Sequence, residues 1–159
     1  LGVVSLGTDQ SFVIADIPGL IEGAADGAGL GIQFLRHVSR TSLLLHLVDI
    51  APIDGTDPVE QVRAIEHELA KFNPELLERP RWLVLNKSDA LPDDERQQAA
   101  EDIVRRLDWK APWFLVSALA RENTMAVCQQ VQRFFEEQRM VHAEERAEIA
   151  PGDVRLRGE

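Results

Sequence analysis

Four short apolar runs, each closing on a polar residue and spaced by helical patterns, constrain the fold of this chain most. They are Phe12 to Ala15 before Asp16, Leu43 to Val48 before Asp49, Trp82 to Leu85 before Asn86, and Trp113 to Val116 before Ser117. The continuous run Leu43-Leu44-Leu45-His46-Leu47-Val48 predicts a central parallel strand covered on both faces. Between the runs the period changes. Asp57 can cap a helix, Pro58 suits its first turn and Glu60 can complete a capping box. Val59, Val62, Ile65, Leu69 and Phe72 then recur at helical spacing. A second helix is expected from about Pro92 to Leu107, burying Ala99, Ala100, Ile103, Val104 and Leu107, and a last one from near Asn123 to about Met140. Leu30, Phe34, Leu35 and Val38 give a shorter amphipathic pattern, and Val3 to Leu6 with Ser11 to Ala15 read as a hairpin around Gly7-Thr8-Asp9. Strand–helix alternation of this kind predicts an α/β fold, doubly wound around a mostly parallel sheet, with ligands at the carboxyl ends of the strands.

The polar residues at three of those ends carry complementary chemistry. Asn86-Lys87-Ser88-Asp89 is an N-K-x-D tetrapeptide, the guanine-reading element of GTP-binding domains. Guanine presents two adjacent donors, a ring N–H and an exocyclic amine, and the Asp89 carboxylate can accept from both. Adenine lacks that pair and would leave the carboxylate desolvated without partners. Asn86 can bridge the base to neighbouring loop backbone, and the Lys87 stem can lie along the base plane. At another strand end Asp16-Ile17-Pro18-Gly19 is a D-x-P-G. Its carboxylate can hold a magnesium ion through water, and its glycine lets a backbone N–H approach a terminal phosphate. Ser117-Ala118-Leu119 follows a third run; a backbone N–H there can donate to the guanine oxygen, and Ser117 can hold Asp89 in its rotamer. Each tetrapeptide alone could be an ordinary turn. Together and in this order they point to GTP or GDP.

At these residues the chain resembles GTPases of the translation-factor class, and within it the Obg family. The stretches Asp16 to Arg40 (DIPGLIEGAADGAGLGIQFLRHVSR) and Asp49 to Pro58 (DIAPIDGTDP) narrow the resemblance, which covers roughly Leu1 to Glu137. The related DRG and YchF-type GTPases match the later stretches less well. The resemblance implies a cytoplasmic GTPase with a P-loop-type G domain, binding GTP or GDP with Mg2+ and acting in assembly of the large ribosomal subunit, with links to growth and stress control. By the same resemblance Asp16 would hold the magnesium's water shell and Gly19 would sense the terminal phosphate. Asn86, Lys87, Asp89, Ser117 and Ala118 would read guanine. Leu20 stands where many GTPases carry the glutamine that orients the attacking water, so intrinsic hydrolysis is expected to be slow.

A phosphate-cradling G-x-x-x-x-G-K-[ST] is absent. The lysines are Lys71, Lys87 and Lys110, none follows a glycine, and no lysine or arginine precedes Arg36. The Gly27-Ala28-Gly29-Leu30-Gly31 cluster has no strand feeding into it and reads as a mobile switch loop with glycine hinges. The chain is therefore expected to be an amino-terminally truncated G domain over residues 1–140, with a charged, flexible tail over 141–159 marked by Pro151-Gly152. The competing expectation is a non-catalytic, GTPase-like interaction module without a phosphate loop. A Rossmann or flavodoxin-like enzyme fails for want of a dinucleotide loop after the first strand.

Composition limits the partners further. A formal charge of -10 argues against broad nucleic-acid or membrane affinity, and no sequence-specific DNA binding is expected. No apolar run reaches membrane-span length, and no signal or transit peptide is visible. The single cysteine, Cys128, sits on an apolar stripe with Val127, Val131, Phe134 and Phe135 and reads as a core thiol. His37, His46, His67 and His142 lack metal-ligand spacing, and His46 is expected to be a packed strand residue. Glu66-His67-Glu68 reads as a solvated helix face, Arg36 and Arg40 as an exposed one, and Asp49, before Ile53-Asp54-Gly55, as a turn-capping carboxylate.

Overall fold

A computed structural model describes residues 2–16, 38 and 40–149, with the side chains of 148 and 149 excepted. They fall into two units, Ala15–Met125 and Gly2–Ile14 with the chain from Ala126 on.

The larger unit is built on three parallel strands, β3 (Leu44–Asp49), β4 (Arg81–Asn86) and β5 (Trp113–Leu115), in the order β3-β4-β5. Here β1 (Gly2–Gly7) and β2 (Gln10–Ile14) belong to the smaller unit. Helix α1 (Pro58–Phe72) crosses from β3 to β4 and α2 (Asp93–Leu107) from β4 to β5. The start of α1 obeys local rules: Asp57 accepts the Val59 amide at 3.0 Å, and Pro58 takes the first turn, where its missing N–H is harmless. At its other end α2 stops on Asp108, whose left-handed backbone (φ 51°) lets its amide reach the Arg105 and Val104 carbonyls. Val48, Ile50, Val59, Val62, Leu83, Leu85, Ala100 and Ile103 form the core between sheet and helices. A second cluster joins Val38, Leu69 and Leu76, the last on a short 3-10 turn, Pro74–Leu77.

Here one expectation fails. The run Leu43 to Val48 was expected at the centre, yet among the described residues β3 pairs only with β4, and Leu47 is 62% exposed. The strand with a neighbour on each edge is β4, whose Trp82, Leu83, Val84 and Leu85 are all buried, Leu83 and Leu85 in the core with residues of α1 and α2. A continuous apolar run marks a parallel strand without saying which one has two neighbours. A second expectation is corrected on α1. Of Glu66-His67-Glu68 only His67 is exposed; Glu66 pairs with Arg81 at 2.6 Å, and Glu68 is buried.

In the smaller unit β1 and β2 form an antiparallel hairpin, with Thr8 and Asp9 in the turn and a bulge between Ser5 and Gly7. This matches the expected hairpin, which stands as its own two-stranded sheet. Helix α3 (Thr124–Ile149) begins where expected but continues nine residues past Met140, so the first part of the expected tail is helical. Phe12 meets Phe135 of α3 at 6.0 Å between ring centroids, and Phe134 packs edge-on to Phe135. The expected helix over residues 30–38 lies outside the described residues except for Val38, which is helical and 1% exposed. The Gly27–Gly31 loop, Arg36 and residues 150–159 also lie outside them.

Candidate functional site

The β4 strand delivers Asn86 at its carboxyl end, and the chain then turns sharply. Lys87 takes a left-handed backbone, φ 66° and ψ 36°, which leads into a single 3-10 turn, Ser88–Ala90. Ser88 is buried, and its amide donates to the Val116 carbonyl at 3.1 Å, so the turn is tied to the neighbouring strand end. From that neighbour the Ala118 amide donates to Asn86 Oδ1 at 3.0 Å, and Ser117 Oγ donates to Asp89 Oδ1 at 2.5 Å. Ser117 is fully buried, and its Oγ also accepts the Ala120 amide at 3.0 Å, which orients the hydroxyl toward Asp89. The Asp89 residue itself is exposed. A carboxylate held from behind by a buried hydroxyl and open in front can receive two parallel donors without reorganising.

Direct hydrogen bonds thus join Asn86 to Ala118 and Asp89 to Ser117, while Ser88 is tied to Val116, with Lys87 between Asn86 and Ser88 along the chain. Leu119 is in the same loop but 86% exposed, without a packed role there. Asp16 follows β2 and is exposed; Ile17, Pro18, Gly19 and Leu20 lie outside the described residues. Among the described residues no three His, Cys, Asp or Glu side chains stand together as a metal site.

Several supporting residues carried no signal in the sequence. Ser117 and Glu122 exchange backbone hydrogen bonds at 3.2 and 3.0 Å, closing a small loop whose corners, Arg121 and Asn123, both have positive φ. Asn123 Nδ2 donates to the Leu115 carbonyl at 2.9 Å. Arg96 of α2 donates through Nε to the Leu91 carbonyl at 2.9 Å, and its Nη1 lies 2.8 Å from Asp93 and 3.5 Å from Glu122. It therefore braces both loops from behind. Asp49 performs the expected turn chemistry, accepting the Ala51 amide at 3.0 Å, and it also pairs with Lys87 Nζ at 2.7 Å. That hydrogen bond, reinforced by Coulomb attraction, raises the Lys87 pKa.

A parallel three-stranded sheet whose carboxyl-end loops lock together around an exposed carboxylate fits a P-loop GTPase-like domain. A family model described as a 50S ribosome-binding GTPase matches residues 2–87, more than half of the chain, and the chain belongs to this GTPase family. The match ends on Asn86 and Lys87, so the Asp89–Ser117 contact rests on the sequence motifs and the geometry and not on the family match. Membership of the family implies binding of GTP or GDP, and GTP hydrolysis as its general activity. No helix among the described residues is long and apolar enough to cross a membrane.

Proposed function

We propose that the chain is the guanine-reading part of an Obg-type GTPase that acts on the large ribosomal subunit in the cytoplasm. The observation that carries this reading is the Ser117–Asp89–Asn86–Ala118 arrangement, in which an exposed carboxylate is aimed and braced by its neighbours. Asp89 accepts the two donors of guanine, Asn86 ties the Ala118 amide to the base-reading turn through its Oδ1, and the Lys87 stem covers one face of the base. Ser88 anchors the turn, and the loop through Leu119 borders the base. The ribosomal partner is supported by the family's description, and the Obg assignment by the stretches 16–40 and 49–58.

Hydrolysis in this reading is in-line attack of water on the terminal phosphate, giving GDP and inorganic phosphate. Bound Mg2+ supplies charge neutralisation at the phosphates. Asp16, exposed after β2, can hold that ion through its water shell, as a single outer carboxylate suits a magnesium that keeps its waters. Ile17, Pro18 and Gly19 complete the D-x-P-G at the phosphate end. The 159 residues contain no G-x-x-x-x-G-K-[ST], and among the described residues β3 has an open edge beside the exposed Leu47. Both support a phosphate-binding strand and loop supplied from outside these residues. The same absence favours the second reading, an interaction module that binds no phosphate; measurable GTP turnover by the full-length protein eliminates it.

The test is Asp89→Asn in the full-length protein. The substitution replaces one acceptor oxygen with a donor. GTP affinity is expected to fall by about 2–4 kcal/mol once the base covers the mismatched group, while xanthosine triphosphate gains affinity because its carbonyl meets the new donor. Asp94→Asn, exposed in the first turn of α2, is the control. Unchanged guanine preference in Asp89→Asn means that these residues do not read the base.

A further inference from the structure

Asp49 closes β3 directly opposite Asn86 in the parallel register, and the Ile50 amide donates to the Asn86 carbonyl at 3.0 Å. Its two oxygens serve different partners. Oδ1 caps the local turn through the Ala51 amide, while Oδ2 holds the Lys87 ammonium at 2.7 Å, across 38 residues of sequence. Turn chemistry accounts for the first contact and not the second. Lys87 stands in a left-handed conformation that non-glycine residues seldom adopt, at the corner between Asn86 and Asp89. The ammonium end of its side chain is thereby pinned to one strand end while its backbone is pinned to another.

We propose that Asp49 is a positioning residue for guanine-nucleotide binding: by anchoring the Lys87 ammonium it lays the lysine stem across the face of the base. This rests on the reading of Asn86 to Asp89 as the base-reading turn. The pair is partly open to solvent, with side-chain exposures of 58% for Lys87 and 21% for Asp49, so its effect is modest and screened by salt.

Asp49→Asn separates the two contacts, since the amide keeps an oxygen for Ala51 but loses the charge for Lys87. In the full-length protein at low salt it is expected to weaken binding of GDP and of inosine diphosphate by the same factor, about two- to fivefold. The stem covers either ring, whereas only Asp89 senses the exocyclic amine that inosine lacks. The loss should shrink as salt is raised and vanish in a Lys87→Met background. A loss of equal size in that background, or no loss at all, overturns the inference. If Asp49→Asn does not fold, Lys87→Met alone decides: its GDP affinity should vary less with salt than the wild type's, and equal variation overturns the proposal. Asp89→Asn keeps the two levels apart. Altered guanine selectivity there with an additive Asp49–Lys87 cycle sinks only the role of Asp49; unaltered selectivity sinks the base-reading turn and this inference with it.

Discussion

His46 lies half-buried on β3 with Nδ1 3.4 Å from an Arg81 guanidinium nitrogen, and burial, then that positive charge, lowers its pKa to about 4. Arg81 is itself occupied, paired with Glu66 at 2.6 Å and stacked over the Trp109 ring at 4.9 Å, so it cannot turn away from the imidazole without loss. With an ordinary value of 6.5 in the unfolded chain, His46 binds more proton unfolded than folded between pH 6.5 and about 4. Its contribution to stability is full above that window and is lost as pH falls through it, on the order of 3 kcal/mol. Urea unfolding at pH 7 and pH 4.5 should therefore show a smaller acid loss in His46→Leu than in the wild type. Equal losses would mean that the imidazole titrates freely in the folded protein. The histidine's position in a packed strand was legible in the apolar run around it. Its Arg81 neighbour was not, because the two meet only through the register of β3 on β4, which pairs His46 with Leu83.

At the scale of the element, the start of α1 combines a local and a distant contact at one carboxylate. Asp57 caps the Val59 amide and also pairs with Arg106 near the end of α2; the Arg106 hydrogen bond and then the cap hold its pKa below the usual carboxylate value. Asp57→Asn keeps a cap acceptor and loses the charge, while Asp57→Ala loses both. The expected order of thermal midpoints by circular dichroism is wild type, then Asn, then Ala. An Asn variant as unstable as Ala would assign the effect to the Arg106 pair rather than to the cap. Aspartate before proline announced this helix start in the sequence, since an N-cap is read within three residues. Arg106 lies 49 residues away, and nothing local marks it.

At the scale of the molecule, β3 presents an open edge among the described residues and an exposed Leu47, and the hairpin exposes Val3 and Val13 as a cross-strand pair. Unpaired edges beside apolar surface favour association. If a phosphate-binding strand pairs with β3, as proposed, the 159-residue chain should bind a fluorescent GTP analogue far more weakly than a version extended upstream through G-x-x-x-x-G-K-[ST]. It should also self-associate where the longer protein stays monomeric. Comparable micromolar affinity of the two would place the phosphate site within these residues and overturn that part of the reading.

The amino-acid sequence by itself determined the α/β class, the helix starts and the identity of the polar residues at the strand ends, because capping, periodicity and strand-end chemistry act over a few residues. It also singled out Asn86 to Asp89 and Ser117 to Ala118, the proposed base-reading residues, through the chemistry that guanine demands. Only the tertiary structure decided which strand has two neighbours, that Ser117 is fully buried behind Asp89, and that Asp49 reaches Lys87. These depend on the parallel register of β3, β4 and β5, which brings residues 28 and 38 positions apart into hydrogen-bonding distance. Register is a property of paired strands, and no stretch of one strand encodes it alone.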